Sequence, residues 1–424
     1  MRIEIGFGVR LQAVDVPDAN LIGILAPNEV PAGLTGEAAV KQSLLNPIGC
    51  QRLCELAKPN QKVAIITSDI TRPVPSYKII PSLLEELWLA GVLPGDVTVV
   101  FALGNHRPHT EDEMRKLAGG EVARQVRCID GDPRSFRHLG TTKMGTPVDI
   151  VTCVAEADLR IGVGNIEYHY FAGYSGGAKA IMPGVSTRAA IQSNHSRMVL
   201  PEAAAGKLDG NPVRMDIEEA AEYCPLHFIC NVVLDEHKEI VFAASGHYIQ
   251  AHRAGCAFLD KLYKKEIDEL ADIVIVSQGG YPKDINLYQT QKALDNAKHA
   301  VKDGGIVILV GSCKEGLGER VFEEWMTTCK SPREMIERIQ RDFRLGGHKA
   351  AAIAMVLEKA DVWLVSEMDP NFVSGIFLTP FAHAQEALDK AFGLLGGHAR
   401  VLVMPYGGST LPEYMLDIEF KERA

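Results

Sequence analysis

Apolar and polar positions along the chain follow two rhythms, and the switches between them outline its elements. Residues 2–26 (RIEIGF, then NLIGIL) alternate with the two-residue period of β-structure. A helix is expected over residues 38–57, starting after Thr35-Gly36. The run Lys62-Val63-Ala64-Ile65-Ile66-Thr67 reads as a buried strand, residues 77–90 as a helix and residues 97–103 (VTVVFAL) as a strand. Another helix opens near Glu111, and segments 122–130 and 139–153 read as strands, with Met144-Gly145 a turn. Leu159-Arg160-Ile161-Gly162-Val163 is one more strand. Residues 226–244 suggest a hairpin about 235–238, and a helix over 248–265 ends this half.

A second series begins at Ile273, with strands expected over 273–277, 305–310, 362–366 and 401–404 and helices between them. Strands separated by helices imply parallel sheets. The expected fold class is therefore α/β: two α/β domains with a ligand cleft between them. Residues 1–268 would form the N-terminal cofactor-binding and catalytic domain. Residues 269–424 would form a C-terminal domain that closes the substrate cleft, its last residues packing back on the first.

Three predicted strand ends, near residues 68, 104 and 164, each release a polar, Gly- or Pro-marked loop before a helix. Pro73 and Pro75 stop the first strand and hold its polar cluster in an extended turn. The carboxyl ends of parallel strands line the ligand crevice of an open sheet. If these strands are neighbours, Asp69, Arg72, His106, His169 and Lys179 converge there. Residues 164–198 are the densest stretch: His169 just past a strand end, Lys179 in a Gly-rich loop beside Ser175-Gly176-Gly177, and His195 well inside a following helix over 187–199 with Ser186 as its cap. Each alone has an ordinary explanation as a surface or hydrogen-bonded residue; together they ask for a common one. Further on, Leu287, Leu294, Ala297 and Val301 form a stripe at helical spacing. Tyr288, Gln289 and Lys292 lie opposite, a mixture that suits a face looking onto a cleft.

Bulk properties narrow the function. A chain of 424 residues exceeds one ordinary core. The formal charge of −10 argues against nucleic acid and anionic membranes as partners, but not against an anionic small molecule met by a few placed cations. No apolar run reaches the length of a membrane span, and the N-terminus lacks a signal peptide's apolar core, so a cytoplasmic location is expected. Nine cysteines without a CxxC pair read as reduced thiols rather than a zinc or iron–sulfur site.

Asp69-Ile70-Thr71-Arg72-Pro73, Asn105-His106-Arg107-Pro108, the Ser175-Gly176-Gly177-Ala178-Lys179 loop with His169 and His195 around it, and residues 281–292 closely resemble the nickel-dependent lactate racemase family. The resemblance covers most of the chain, in the same order and with similar separations. It implies an isomerase, a racemase or epimerase that inverts C2 of a 2-hydroxy acid by reversible hydride transfer to a nickel-pincer nucleotide. It further implies that Lys179 carries that cofactor as a covalent thioamide and that His195 ligates nickel. His106 and His169 would be the acid/base pair, and Asp69, Ile70, Thr71 and Arg72 would contact the cofactor. Arg72, Gln289 and Lys292 would hold the substrate, with Tyr288 nearby. The nucleotide's phosphate would meet Thr71, Ser175 and the Gly176-Gly177 backbone. The implied partners are the small-molecule substrate and the enzymes that make the cofactor.

The other histidines, His109 and His252 among them, receive no role. Gly346-Gly347-His348-Lys349 holds no tryptophan where the lactate enzyme walls its pocket with one; the nearest is Trp363, in a predicted strand. That departure points to a substrate larger or more polar than lactate, such as malate or a sugar acid. Two other readings stand beside this one. In a zinc-type hydrolase, His106, His169 and His195 would be the ligands; a non-catalytic cofactor-binding protein would need only Lys179 and His195.

Overall fold

The computed structural model describes residues 1–30, 33–104, 106–235 and 237–414. The chain forms two compact units, Val30–Lys261 and, together, Met1–Glu29 with Leu262–Ala424. The boundary expected near residue 268 thus lies at 261/262, and the N-terminal strands belong with the C-terminal half. Pairing is the reason. Leu21–Ile24 adds in parallel to Val401–Met404, and the hairpin of Arg2–Phe7 and Arg10–Asp15 buries Ile3, Ile5, Phe7 and Val14 in that half's core. Alternation shows that a strand exists but not which sheet takes it. Asn105 and the final segment expected to pack back, residues 415–424, lie outside the described residues.

Val30–Lys261 is built on a six-stranded sheet in the order Ile240–Gly246, Phe228–Leu234, Leu159–Asn165, Val63–Ser68, Val97–Ala102, Arg127–Asp130. Every pairing is parallel except the hairpin of the first two strands. Val63 to Thr67 are all buried, the unbroken apolar run of a strand covered on both faces. This central strand pairs with Val97–Ala102 on one side and Leu159–Asn165 on the other. The three loops singled out in the sequence therefore leave adjacent parallel strands at the same edge. From Val63–Ser68 the chain winds outward to Arg127–Asp130, then returns to Leu159–Asn165 on the opposite flank. The order reverses between Val63–Ser68 and Leu159–Asn165, where an open α/β sheet forms its ligand crevice.

Several local expectations are revised. The helix expected over 38–57 is two, Gly36–Leu45 and Leu53–Leu56, because Asn46 precedes Pro47 and leaves the helical region. Residues 120–125 form a helix; Val122 and Val126, four apart, suit a helical face as well as a strand. The segment after it is the hairpin Phe136–Thr141 and Pro147–Val151. Lys264 and Lys265 leave the preceding helix for a strand, Lys264–Ile267, paired with Leu411–Tyr414.

The second unit has its own parallel sheet, ordered Thr379–Phe381, Asp361–Val365, Val301–Val310, Ala271–Ser277, Val401–Met404, Leu21–Ile24. The helix Leu287–Ala297 follows the carboxyl end of Ala271–Ser277. Leu287, Leu294 and Ala297 are buried as the stripe requires, but Val301 lies beyond the helix, opening the strand Val301–Val310. Tyr288 and Gln289 are half-buried and Lys292 is exposed. Among the described residues no helix is long and apolar enough to cross a membrane.

Candidate active site

Asp69 directly follows the central strand of the first sheet, and its carboxylate is almost fully buried. Oδ1 accepts the Thr71 backbone N–H at 3.0 Å and the Thr71 hydroxyl at 2.6 Å, while Oδ2 pairs with His106 Nδ1. Burial alone would raise this carboxyl group. The hydrogen bonds from His106 and Thr71 outweigh it and hold Asp69 below the usual carboxylate range. A carboxylate only accepts, so His106 carries a proton on Nδ1, and Nε2 is the position of the lone pair in the neutral tautomer.

His109, dismissed on sequence, anchors this turn. Its Nε2 accepts the Ile70 N–H at 3.0 Å, and its Nδ1 lies 2.6 Å from Asp130 Oδ1 at the end of a neighbouring strand. The His109 N–H also reaches Asp130, at 2.8 Å. The two histidines thus divide the work: His109 is buried and committed to backbone, whereas His106 is partly open to solvent.

After Leu159–Asn165 the chain makes a small hairpin, Tyr168–His169 against Gly173–Tyr174, with Phe171 buried at its tip. The Phe171 ring lies 4.5 Å from the His169 ring and 4.9 Å from the His195 ring, edge-on to both, and 5.9 Å from Lys179 Nζ. One phenyl ring therefore gathers three of the expected site residues. Lys179 belongs to a tight 3-10 turn, Gly177–Ala180, rather than an open loop. His195 ends the helix Arg188–His195 instead of sitting within it. Thr187 caps that helix, its hydroxyl accepting the Ala190 N–H at 3.4 Å, while the Ser186 hydroxyl donates to Ile181 O at 2.8 Å.

Electrostatics tie the groups together. Lys179 makes no side-chain hydrogen bond or ion pair among the described residues. Burial pushes its amine well below the ordinary lysine range, Arg214 and Arg72 push it further, and Glu167 opposes them. His169 is likewise held well below its ordinary value, by burial first and then by Lys179, Arg72, His195 and Arg214. Arg72 follows one strand end, while His169 and Lys179 follow the next. The Arg72 charge acts on both His169 and Lys179, so the two loops lie close together. The loop after Val97–Ala102 is fastened to the same place, since the Gly104 N–H donates to Gly184 O at 3.1 Å.

Arg214 has no counterpart in the sequence reading, because an arginine on a helix ordinarily reads as solvated. It is completely buried on Pro212–Tyr223. Nε donates to Ala172 O at 3.1 Å and Nη2 to Tyr174 O, while Nη1 has no hydrogen-bond partner. Burial brings its pKa down to about 10.

The groups expected to meet a phosphate are largely engaged within the protein. The Ser175 hydroxyl donates to Asn165 O at 2.7 Å and accepts the Glu167 N–H at 2.9 Å. The Gly177 N–H donates to Asn231 Oδ1 at 2.7 Å. His252, also dismissed on sequence, is buried beneath this loop with Nε2 2.8 Å from Ser175 O. Gly176 and Gly177 both have positive φ, and a Cβ would lie 2.7 Å from Asn231 Oδ1 at the first and 2.8 Å from the His252 ring at the second. Ser175, Gly176 and Gly177 thus shape the turn that presents Lys179.

Within the other unit, Lys349 Nζ lies 3.9 Å over the Tyr288 ring and donates to Tyr288 O. At Gly347 the packed indole is that of Trp325, from Arg320–Thr328, and not Trp363. Trp325 is fully buried. Among the described residues no three His, Cys, Asp or Glu side chains gather as a metal-binding group. His106, His169 and His195 therefore do not form the three-histidine site that the zinc reading requires.

The profile of the lactate racemase N-terminal domain matches residues 7–206, and that of the lactate racemase C-terminal domain matches residues 267–411. The lactate racemase of Thermoanaerobacterium thermosaccharolyticum is 35% identical over 421 residues, 96% of this chain and 98% of that protein. That of Lactiplantibacillus plantarum is 34% identical over 418 residues, with the same coverage of both chains. The solved lactate racemase apoprotein from T. thermosaccharolyticum superposes with a TM-score of 0.88 at 34% identity, covering 97% of this chain and all of that one. A Thermotoga maritima protein of 20% identity shares the fold at a TM-score of 0.63. Two domain profiles in sequence order, relatives aligned nearly end to end and a matching backbone leave one conclusion: this chain belongs to the lactate racemase family and is an isomerase of the racemase type.

Proposed function

We propose that the protein inverts C2 of a 2-hydroxy acid, with His106 and His169 as the acid/base pair and a nickel-pincer nucleotide attached at Lys179. The observation that carries this reading is the state of Lys179. A partly buried amine with no hydrogen bond or ion pair among the described residues, held well below its ordinary pKa, is a nucleophile ready for covalent attachment. The absence of a three-residue metal group among the described residues fits a metal held mostly by an organic cofactor, with His195 as the protein's ligand. Bound there, the nucleotide would supply a reversible hydride acceptor for C2.

The remaining chemistry belongs to the chain. Asp69 keeps the His106 proton on Nδ1, so Nε2 can take the substrate's hydroxyl proton. His169 is neutral in the substrate-free protein; an anionic 2-hydroxy acid bound among Arg72 and its neighbouring cations offsets part of that shift and lets the ring hold a proton. One histidine then takes the hydroxyl proton from one enantiomer, and the other, already protonated, gives its own proton to the keto oxygen as the opposite enantiomer forms. Reversal exchanges their roles. Asp69, Ile70, Thr71 and Arg72 line the cofactor side of this scheme. Arg72, Tyr288, Gln289 and Lys292 make up the proposed substrate contacts, Arg72 gripping the carboxylate with two parallel hydrogen bonds.

The test is to produce the protein alongside cofactor-making enzymes. Nickel would be quantified, the Lys179 peptide weighed, and lactate, malate and sugar acids screened by chiral analysis. A nucleotide-sized adduct on Lys179 with matching nickel and racemisation of a 2-hydroxy acid is expected. An unmodified, nickel-free preparation that contains zinc and hydrolyses esters would overturn the proposal.

A further inference from the structure

His195 is preceded by Asn194, which is completely buried. Asn194 Nδ2 donates to Asp216 Oδ2 at 2.7 Å and to the Val213 carbonyl at 3.2 Å. A carboxylate and a carbonyl only accept. Turning the amide over would set its oxygen against two oxygens, so the chemistry of its partners fixes its orientation. The atom facing His195 Nδ1, at 2.7 Å, is therefore Asn194 Oδ1. It too can only accept, so His195 carries a proton on Nδ1, and in the neutral ring Nε2 bears the lone pair.

Asp216 is held as firmly. It is completely buried on Pro212–Tyr223 and accepts from the Thr142 hydroxyl and, at 2.6 Å, from Thr146 Oγ1. Arg197 Nη1 lies 3.4 Å away and supplies the opposite charge. Thr142 and Thr146 bracket the turn between Phe136–Thr141 and Pro147–Val151. Three segments distant in sequence thus meet at one carboxylate, whose effect reaches His195 through the Asn194 amide.

We infer that Asn194 and Asp216 are positioning residues: a buried relay that fixes His195 in its Nδ1–H tautomer and leaves Nε2 as the nitrogen able to bind a metal. A ligating imidazole whose second nitrogen is held by a hydrogen bond is the usual means of setting ring orientation and donor strength. The metal-binding consequence rests on the proposed role of His195 as nickel ligand; the tautomer does not.

The test has two arms. In the full chain without cofactor, labelled with 15N-histidine, long-range 1H–15N correlation should show His195 with a protonated Nδ1 and an unprotonated Nε2. Asn194→Leu keeps the volume and removes the acceptor, so the proton should move largely to Nε2. Asp216→Asn releases the amide's orientation without emptying the site and should give a mixture, which keeps the question answerable if the first variant folds poorly. A wild-type His195 protonated on Nε2, or a tautomer unchanged in both variants, would overturn the relay. In protein produced with the cofactor-making enzymes, the Lys179 adduct should persist in Asn194→Leu while nickel affinity falls about 10–100-fold. Nickel retained at the wild-type level in both Asn194→Leu and His195→Ala would instead overturn the ligand role of His195, whatever the tautomer.

Discussion

His109 Nε2 accepts the Ile70 backbone N–H at 3.0 Å, so the turn that carries Asp69 is pinned by a side chain of the neighbouring loop. His109→Leu would leave that N–H and Asp130 Oδ1 without the imidazole, while the backbone N–H of residue 109 still reaches Asp130 Oδ2. Each unpaired polar group at a buried site costs about 1–3 kcal/mol. The variant should lose on the order of 2 kcal/mol in urea denaturation and lose racemisation with it. His106→Ala also takes a partner from the Asp69 carboxylate but opens it to water at a partly exposed site, so it should lose turnover at a smaller stability cost than His109→Leu. Equal destabilisation by the two substitutions would refute this division of roles.

The sequence made the loops legible because each strand end is marked twice, by the close of an apolar run and by Gly or Pro. It could not rank His106 against His109 on physical grounds, since both lie in one short polar loop. What separates them is Asp130, which reaches His109 only through strand pairing. Arg214 and His252 were hidden for a similar reason. A lone cation or imidazole on a helix gives no sign of burial until the Gly176-Gly177 turn and the Phe171 hairpin are packed against it. The N-terminal strands were readable as strands, but their sheet is chosen by Val401–Met404, nearly four hundred residues away.

Asp69 has a pH signature. Its carboxyl group lies below the ordinary value of 3.8 in the folded protein, so the folded state binds its proton less readily than the unfolded chain. Its contribution to stability is then complete above the unfolded value and is lost as pH falls through the folded one. Asp69→Asn should narrow the stability difference between pH 6 and pH 3, followed by denaturant midpoints across that range. An identical pH dependence in wild type and variant would remove Asp69 as a source of acid sensitivity.

Gly347 leaves no room for a side chain. A Cβ would sit 2.6 Å from the Trp325 ring, which is fully buried and faced on another side by Arg338 at 4.5 Å. Gly347→Ala should cost about 1–3 kcal/mol through overpacking, and Trp325→Phe in the same chain should recover part of it. A neutral Gly347→Ala, judged by urea midpoint and Trp fluorescence, would mean that the helix shifts freely at this point.

Lys179 should be a residue that the fold tolerates at a cost. Burial and the Arg214 and Arg72 charges lower its pKa from the ordinary 10.5. Between the lowered value and 10.5 the unfolded chain binds a proton that the folded protein does not, so stability rises with pH across that window. Lys179→Met keeps the apolar stem and removes the amine. It should therefore be more stable than wild type at pH 7, by on the order of 1 kcal/mol, the usual sign when a functional group is deleted from a strained site. The gain should shrink as pH approaches 10, where the wild-type amine no longer gains a proton on unfolding. The same variant should take up no cofactor and racemise nothing. Paired urea titrations at pH 7 and pH 10 decide the matter: a less stable variant would mean that the fold stabilises the Lys179 amine, and a gain that ignores pH would mean that the fold does not disfavour its charge; either result removes the uncommitted nucleophile proposed here.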